Sequence, residues 1–210
     1  SINPPDDLDA YIRNQPLSGS GAVVNAEMAM RQAAVFACVR IRSGVPANMP
    51  LQVKRRIDER TQEDATDYPV YNLLKREPNT WQTPSQFKRF MQTQLLLRGN
   101  AYAMISRDLN GRPNMLVPMM ADRVYPSQDN LGRITYKYTS KDGHQVDLNQ
   151  RQVMHLVGLT LDGLNGVSVI KYAKETIGLS MAMEHHGSTT FRNGARPSAV
   201  LVHPEQIGQE

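Results

Sequence analysis

One cysteine, Cys38, stands among 210 residues, so the chain can form no internal disulfide and offers no thiolate cluster to a metal. It lies among small apolar residues on a helical pattern and reads as a plain core cysteine. Aromatic residues make up only 6% of the sequence, against 11 methionines, a balance that suits long helices and adaptable contact surfaces better than a pocket lined with rings. Long apolar runs are also missing. Met115 to Ala121, among the longest, is interrupted by Pro118, and the start shows no basic stretch leading into an apolar one. The sequence therefore predicts neither a signal peptide nor a membrane span.

Catalytic signatures are equally scarce. His185 and His186 adjoin Glu184, but neighbouring residues on a helix point about 100° apart and cannot chelate one ion as an i, i+4 pair would. There is no H-E-x-x-H. Ser168 sits in G-V-S-V without the second glycine of a nucleophile elbow, and serves better as a helix N-cap. Gly163 and Gly166 precede a helix start that could hold a phosphate, yet no G-x-x-x-x-G-K-[ST] follows. His155, on an expected strand with apolar neighbours, reads as a hydrogen-bonded core or interface residue. No cofactor, metal or catalytic residue is assigned.

The charge is present in quantity but unevenly placed. The formal net charge is +4. Residues 1–30 hold one basic and four acidic residues, residues 31–107 thirteen and six, residues 108–166 six of each, and residues 167–210 four of each. The basic excess of 31–107 could attract a phosphate backbone, with Lys54, Arg55 and Arg56 as candidate contacts. Asp58, Glu59, Glu63 and Asp64 are interleaved with them, however, as in a solvated hairpin.

Along the chain, residues 1–24 mix prolines, acids and an S-G-S-G run and read as a mobile arm. A helix is expected from Asn25 as N-cap, with Met28, Ala29, Val35, Cys38, Val39 and Arg42 on one face, ended by Pro46 and Pro50. Leu51 to Val53 reads as a strand, followed by a charged hairpin to Asp67 and a short helix from Pro69 to Arg76. Thr83-Pro84-Ser85-Gln86 carries a capping box, and Gly99 closes the helix it opens. From Ala101 to Leu159 the period falls to two, with turns at Asn110-Gly111 and Asp142-Gly143, giving an antiparallel meander. Helix returns at Ser168 and runs unbroken to Phe191 before Gly194, with a narrow stripe of Ile170, Ala173, Ile177 and Met181 suited to packing against a neighbouring helix. Helices and sheet in separate blocks give the α+β class. The chain starts at Ser1 without Met, and its last residues from His203 stop where a polar helix would begin; together these read as a fragment or processed chain.

Seven pieces, each weak alone, stand in one order: A-A-V-F-A-C-V-R from Ala33, N-M-P-L-Q-V from Asn48, Y-P-V-Y-N-L-L-K-R-E-P-N from Tyr68, L-L-L-R-G-N-A-Y-A from Leu95, V-M-H-L from Val153, G-V-S-V-I from Gly166 and F-R-N-G-A-R-P-S-A-V-L from Phe191. In that order, over residues 33 to 202, the chain resembles the portal proteins of tailed double-stranded DNA bacteriophages. Val169 departs from the proline common after the serine, and Tyr68 from the histidine usual before the proline.

The resemblance implies a ring of identical subunits, typically twelve, at one capsid vertex. The genome enters and leaves through it, and it meets the major capsid protein, the terminase large subunit and the head–tail connector. Carried onto this chain, residues 1–24 are the arm and 25–160 the wing. Residues 161–194 are the stem segment, with Ser168–Asn193 as its first helix, and 195–210 the start of the clip. The stripe of Ile170, Ala173, Ile177 and Met181 becomes a subunit interface. Lys171, Lys174 and Glu184 become candidate channel-facing residues, whose cancelling charges suit a wall that does not grip a moving polyanion. Such a protein resides in the virion, and in host cytoplasm during assembly, and is not an enzyme. The alternative is a sequence-nonspecific nucleic-acid-binding module using residues 31–107; a hydrolase would need metal or serine chemistry that the sequence does not assemble.

Overall fold

The computed structural model describes residues 18–195; the notional clip and most of the arm lie outside the described residues. Two compact units result. One is Val24–Lys174; the other joins the residues before Val24 to those from Glu175 onward.

In the first unit, Asn25 caps a one-turn helix, α1 (Ala26–Ala29), its side chain accepting the Met28 amide at 2.8 Å. The expected single helix is interrupted here: Arg31 and Gln32 donate only three residues back, and α2 (Ala33–Asn48) starts afresh. Pro46 lies inside α2 and does not end it. So close to the C-terminus it removes one intrahelical bond, and the turn continues to Asn48. Val39, Ser43 and Ala47 are buried, whereas Cys38 is exposed; the cysteine belongs to the solvent face and not to the core. Leu51 to Val53 is not a strand. The ladder begins one residue later as β1 (Lys54–Arg56), paired with β2 (Gln62–Asp64).

The next two helices are α3 (Pro69–Lys75) and α4 (Pro84–Arg98). Thr83 and Gln86 form the capping box in both directions, and Gly99 ends α4 at φ 79°, a left-handed conformation that suits glycine. Beyond them lie β3 (Asn100–Arg107), β4 (Pro113–Met119), β5 (Val124–Gln128), β6 (Ile134–Thr139), β7 (Gln145–Asn149) and β8 (Val153–Val157). These are not one meander. They make two antiparallel three-stranded sheets, ordered β4-β3-β8 and β5-β6-β7, so the second hairpin pair is an insertion between β4 and β8. Pro118 and Pro126 fall on the edge strands β4 and β5, where a missing N–H does least harm.

The period of two in β3 builds three layers. Ala101 and Ala103 face Leu73, Phe87, Met91 and Leu116 in one cluster between helices and sheet. Tyr102 faces Met119, Val124, Tyr136, Leu148 and Val153 in another cluster, where the two sheets meet. Small residues on one side let α4 approach closely; large ones on the other fill the space between sheets.

After β8 comes α5 (Val169–Tyr172), capped by Ser168. The expected unbroken helix is divided: Ala173 leaves helical geometry at φ −87°, ψ 11°, and α6 (Lys174–Arg192) follows. In the second unit the Ser18 amide donates to the Ala22 carbonyl at 2.9 Å, closing a turn, and the Gly19 amide donates to Glu175 at 2.7 Å near the start of α6. Along α6, Ile177 and Gly178 are buried, while Leu179, Met183 and Phe191 are 55%, 65% and 79% exposed. Among the described residues no helix is long and apolar enough to cross a membrane.

Candidate functional site

The densest polar construction in the first unit stands where α4 gives way to β3 without a loop. Gly99 makes the change of direction, and its carbonyl accepts the Gly158 amide at 2.8 Å just past the end of β8. A Cβ on Gly166 would lie 1.9 Å from the Gly99 oxygen, and one on Gly99 2.5 Å from the backbone of Gly166 and Val167. A Cβ on Gly158 would lie 2.9 Å from that same oxygen. Three backbone segments thus meet at van der Waals limits, which only glycine permits.

Asn100 clamps the meeting point. Its Nδ2 donates to the Gly166 carbonyl at 3.0 Å, and its Oδ1 accepts the Gly166 amide at 2.9 Å. The same oxygen lies 3.0 Å from His155 Nε2, and His155 Nδ1 lies 3.4 Å from the Tyr136 hydroxyl. An Nε2–H imidazole satisfies both contacts, donating to Asn100 and accepting from Tyr136. The ring stacks on Tyr102 at 4.3 Å. Burial holds His155 down at about 4, and burial pushes the Tyr102 phenol well above its ordinary value, so both stay neutral at physiological pH.

Ser168 ties the next helix to the same place. Its Oγ donates to the Leu97 carbonyl at 2.6 Å, near the C-terminus of α4, and accepts the Lys171 amide at 3.3 Å as the N-cap of α5. One hydroxyl therefore caps α5 and fastens it to α4, its proton given to a backbone carbonyl and not to a base. Arg98 completes the junction, reaching Glu27 at 2.8 Å and Asp122 at 3.2 Å and so joining α1 to the segment before β5. Its Nε is buried without a hydrogen-bond partner among the described residues. In the connecting loop the amides of Asn165 and Leu164 hold the Asp162 carboxylate well below the usual range. An open cavity of about 390 Å³ lined by Leu73, Asn79 and Met115, and one of about 610 Å³ lined by Arg98, Ser168 and Lys171, lie on this unit. In the second, the Ser168 hydroxyl donates to the Leu97 carbonyl and not to a carboxylate or imidazole.

Residues singled out in the sequence are distributed as follows. Ile170 and Ile177 are buried, and Ala173 and Met181 half-buried, but Ile170 stands on α5 and Ile177 on α6, on opposite sides of the break at Ala173. Lys171 and Glu184 are exposed and Lys174 is half-buried. Lys54 is paired with Asp64 at 2.6 Å, and Arg55 with Asp67 at 2.6 Å and Glu63 at 3.7 Å; Arg56 forms no ion pair among the described residues. Two of the hairpin's four cations, Lys54 and Arg55, are thus matched by nearby carboxylates, while Arg56 and Arg60 have no such partner among the described residues. Sequence reasoning had Arg98–Tyr102 and the Ser168 cap but not the clamp by Asn100, nor the contact of Gly99, Gly158 and Gly166. A signal was available: R-G-N-A-Y-A, V-M-H-L and G-V-S-V-I, three of the seven ordered pieces, all converge on this junction.

Comparison with known proteins places the chain in a family. The family model described as phage portal protein matches residues 33–210. The portal protein of Enterobacteria phage HK97 is 30% identical over 199 residues, covering 91% of this chain and 46% of that protein. The probable portal protein of Streptomyces phage phiC31 is 32% identical over 211 residues, covering 92% and 44%. The chain therefore spans less than half the length of these relatives. Among solved structures, a chain of the neck of an empty gene transfer agent particle, computed with C6 symmetry, superposes with a TM-score of 0.69 at 23% identity, covering 82% of this chain and 48% of that one. An HK97-family phage portal protein from Corynebacterium diphtheriae superposes at 0.56 with 19% identity, covering 82% and 52%. With the family model matching from the start of α2 to the end of the chain, this α+β chain belongs to the phage portal protein family.

Proposed function

We propose that the chain is a portal subunit, assembling with identical copies, twelve in the expected ring, at one capsid vertex. The ring is the channel for genome packaging and ejection and the docking site for the terminase large subunit and the head–tail connector, seated in the major capsid protein shell. In this reading residues 25–160 form the wing, 161–194 the stem segment and 195–210 the start of the clip. The protein acts in the virion, after assembly in host cytoplasm, by holding and passing duplex DNA, not by turnover.

The observation that carries the proposal is the surface of α6. Leu179, Met183, Gly187 and Phe191 recur at i+4 and make one row down the helix, and its three large members are all exposed. A row of that kind needs an apolar neighbour, and in a closed ring the adjacent copy supplies it. The stripe of Ile170, Ala173, Ile177 and Met181 is the second candidate for subunit contact. Lys171, Lys174 and Glu184 remain the candidates for the channel wall. The test is negative-stain electron microscopy with mass in solution. Rings of about a dozen copies with a central hole are expected; a monomer at all accessible concentrations would end the proposal.

A further inference from the structure

The β1–β2 hairpin and α2 carry two unsatisfied surfaces that match. All six strand residues of the hairpin are exposed, and a two-stranded hairpin of this length has no core of its own to hold it. On its shaft Lys54 and Arg55 are paired with Asp64 and Glu63, and Arg56 forms no ion pair among the described residues. Asp58 shapes the tip, its Oδ1 accepting the amides of Arg60 and Thr61, each at 2.8 Å. What the tip then offers outward is Ile57, 58% exposed, and Glu59, which has no cationic partner among the described residues.

On α2 the solvent face is an open groove of about 520 Å³ lined by Phe36, Arg40, Ile41, Gly44 and Val45, with Arg89 of α4 also on its lining. Phe36, Ile41 and Val45 are 49%, 64% and 59% exposed. Neither Arg40 nor Arg89 has a carboxylate partner among the described residues, and α2 itself contains no acidic residue. A Cβ on Gly44 meets nothing within 4 Å, so the groove is open there.

We propose that the hairpin tip of one copy docks in the α2 groove of the next, with Ile57 against Phe36, Ile41 and Val45, and Glu59 between Arg40 and Arg89. The two patches differ, so the contact is heterologous and a repeated rotation closes it into a ring. Arg56 stands on the opposite strand face from Ile57 by the alternation of side chains. Arg60 flanks Glu59 and is the tip charge that opposes docking. The inference rests on the ring reading and adds to it a wing contact outside the stem.

The test joins cross-linking to assembly. In a Cys38→Ser background, Ile57→Cys with Ile41→Cys is treated with a short bismaleimide, and a ladder of covalent multimers is expected. Sedimentation should show Glu59→Arg raising the concentration at which copies separate by about tenfold, and Arg60→Glu lowering it. Gly44→Met fills the groove of a copy whose thermal midpoint is unchanged or raised, since the helix gains a better former and nothing is displaced; it should abolish the ladder. Rings with no ladder and no response to these charges would overturn the docking and leave the ring reading intact. A ladder sensitive to Gly44→Met in a protein that never forms rings would uphold the contact and overturn the ring. Neither rings nor ladder would overturn both.

Discussion

Gly166 and His155 show how much a single position carries at the α4–β3 junction. A methyl group at Gly166 has to enter the space of the Gly99 carbonyl, 1.9 Å away, and backbone cannot yield as a flexible side chain does. Gly166→Ala is expected to cost about 3 kcal/mol or more of unfolding free energy, the upper end for overpacking. Gly187→Ala, in α6 with nothing within 4 Å, is expected to be neutral or to stabilise by up to about 1 kcal/mol. Urea titration of the two variants side by side decides it, and equal midpoints would remove the close-approach argument. For His155, the folded value near 4 lies below the ordinary 6.5, so the unfolded chain binds the proton more readily. The contribution to stability is whole above pH 6.5, declines as pH falls toward 4, and is spent below it. Depressed carboxylates such as Asp162 act in a lower window, losing their contribution as pH drops below the ordinary carboxylate value. Thermal midpoints recorded between pH 7.5 and 4.5 should therefore fall, and His155→Gln should flatten that slope; an unchanged slope would relocate the titration to other groups.

Among the elements, α4 is the one whose beginning and end are both written locally. Thr83 accepts the Gln86 amide, Gln86 accepts the Thr83 amide in return, and Gly99 supplies the left-handed stop. Thr83→Ala is expected to cost about 1 kcal/mol, and Thr83→Ser to restore most of it, as read by chemical denaturation. Since α4 packs against α2 and the first sheet, that loss belongs to the whole first unit and not to a fraying end. The helix after Ser168 behaves differently. Ser168 starts it as the sequence implies, but its Oγ also holds the Leu97 carbonyl, and the geometry changes at Ala173 within two turns. Nothing in the local composition, neither proline nor glycine, marks Ala173 as a break. The two sheets in place of one meander have a similar origin. The period of two marks the strands between Ala101 and Val157, yet β3 pairs with β8 and not with β5, a choice made by which faces must be covered.

At the scale of the whole molecule, the exposed row on α6 converts the ring proposal into a mutational one. Leu179→Asp with Met183→Asp places two charges where an apolar neighbour is expected, at side chains that are mostly exposed in the single copy. The expected result is loss of rings with far-ultraviolet circular dichroism preserved, checked by mass photometry and electron microscopy. Intact rings in that variant would move the subunit contact to the Ile170, Ala173, Ile177 and Met181 stripe or to the wing.

The residues by themselves determined a good deal. They set the α+β class, the capping box at Thr83, the stop at Gly99, the turns at Gly111 and Gly143, the N-cap at Ser168 and the portal resemblance. Each of these depends on neighbours within a few positions or on an ordered set of short pieces. Tertiary structure alone decided that Cys38 faces solvent, that α2 runs through Pro46, that the strands divide into two sheets, and that Gly99, Gly158 and Gly166 share one point. Burial of a helix face depends on which partner arrives, and the closest backbone approaches join residues up to 67 positions apart, from Gly99 to Gly166. Periodicity marks which residues share a face of an element, but only packing assigns that face to the core or to the solvent.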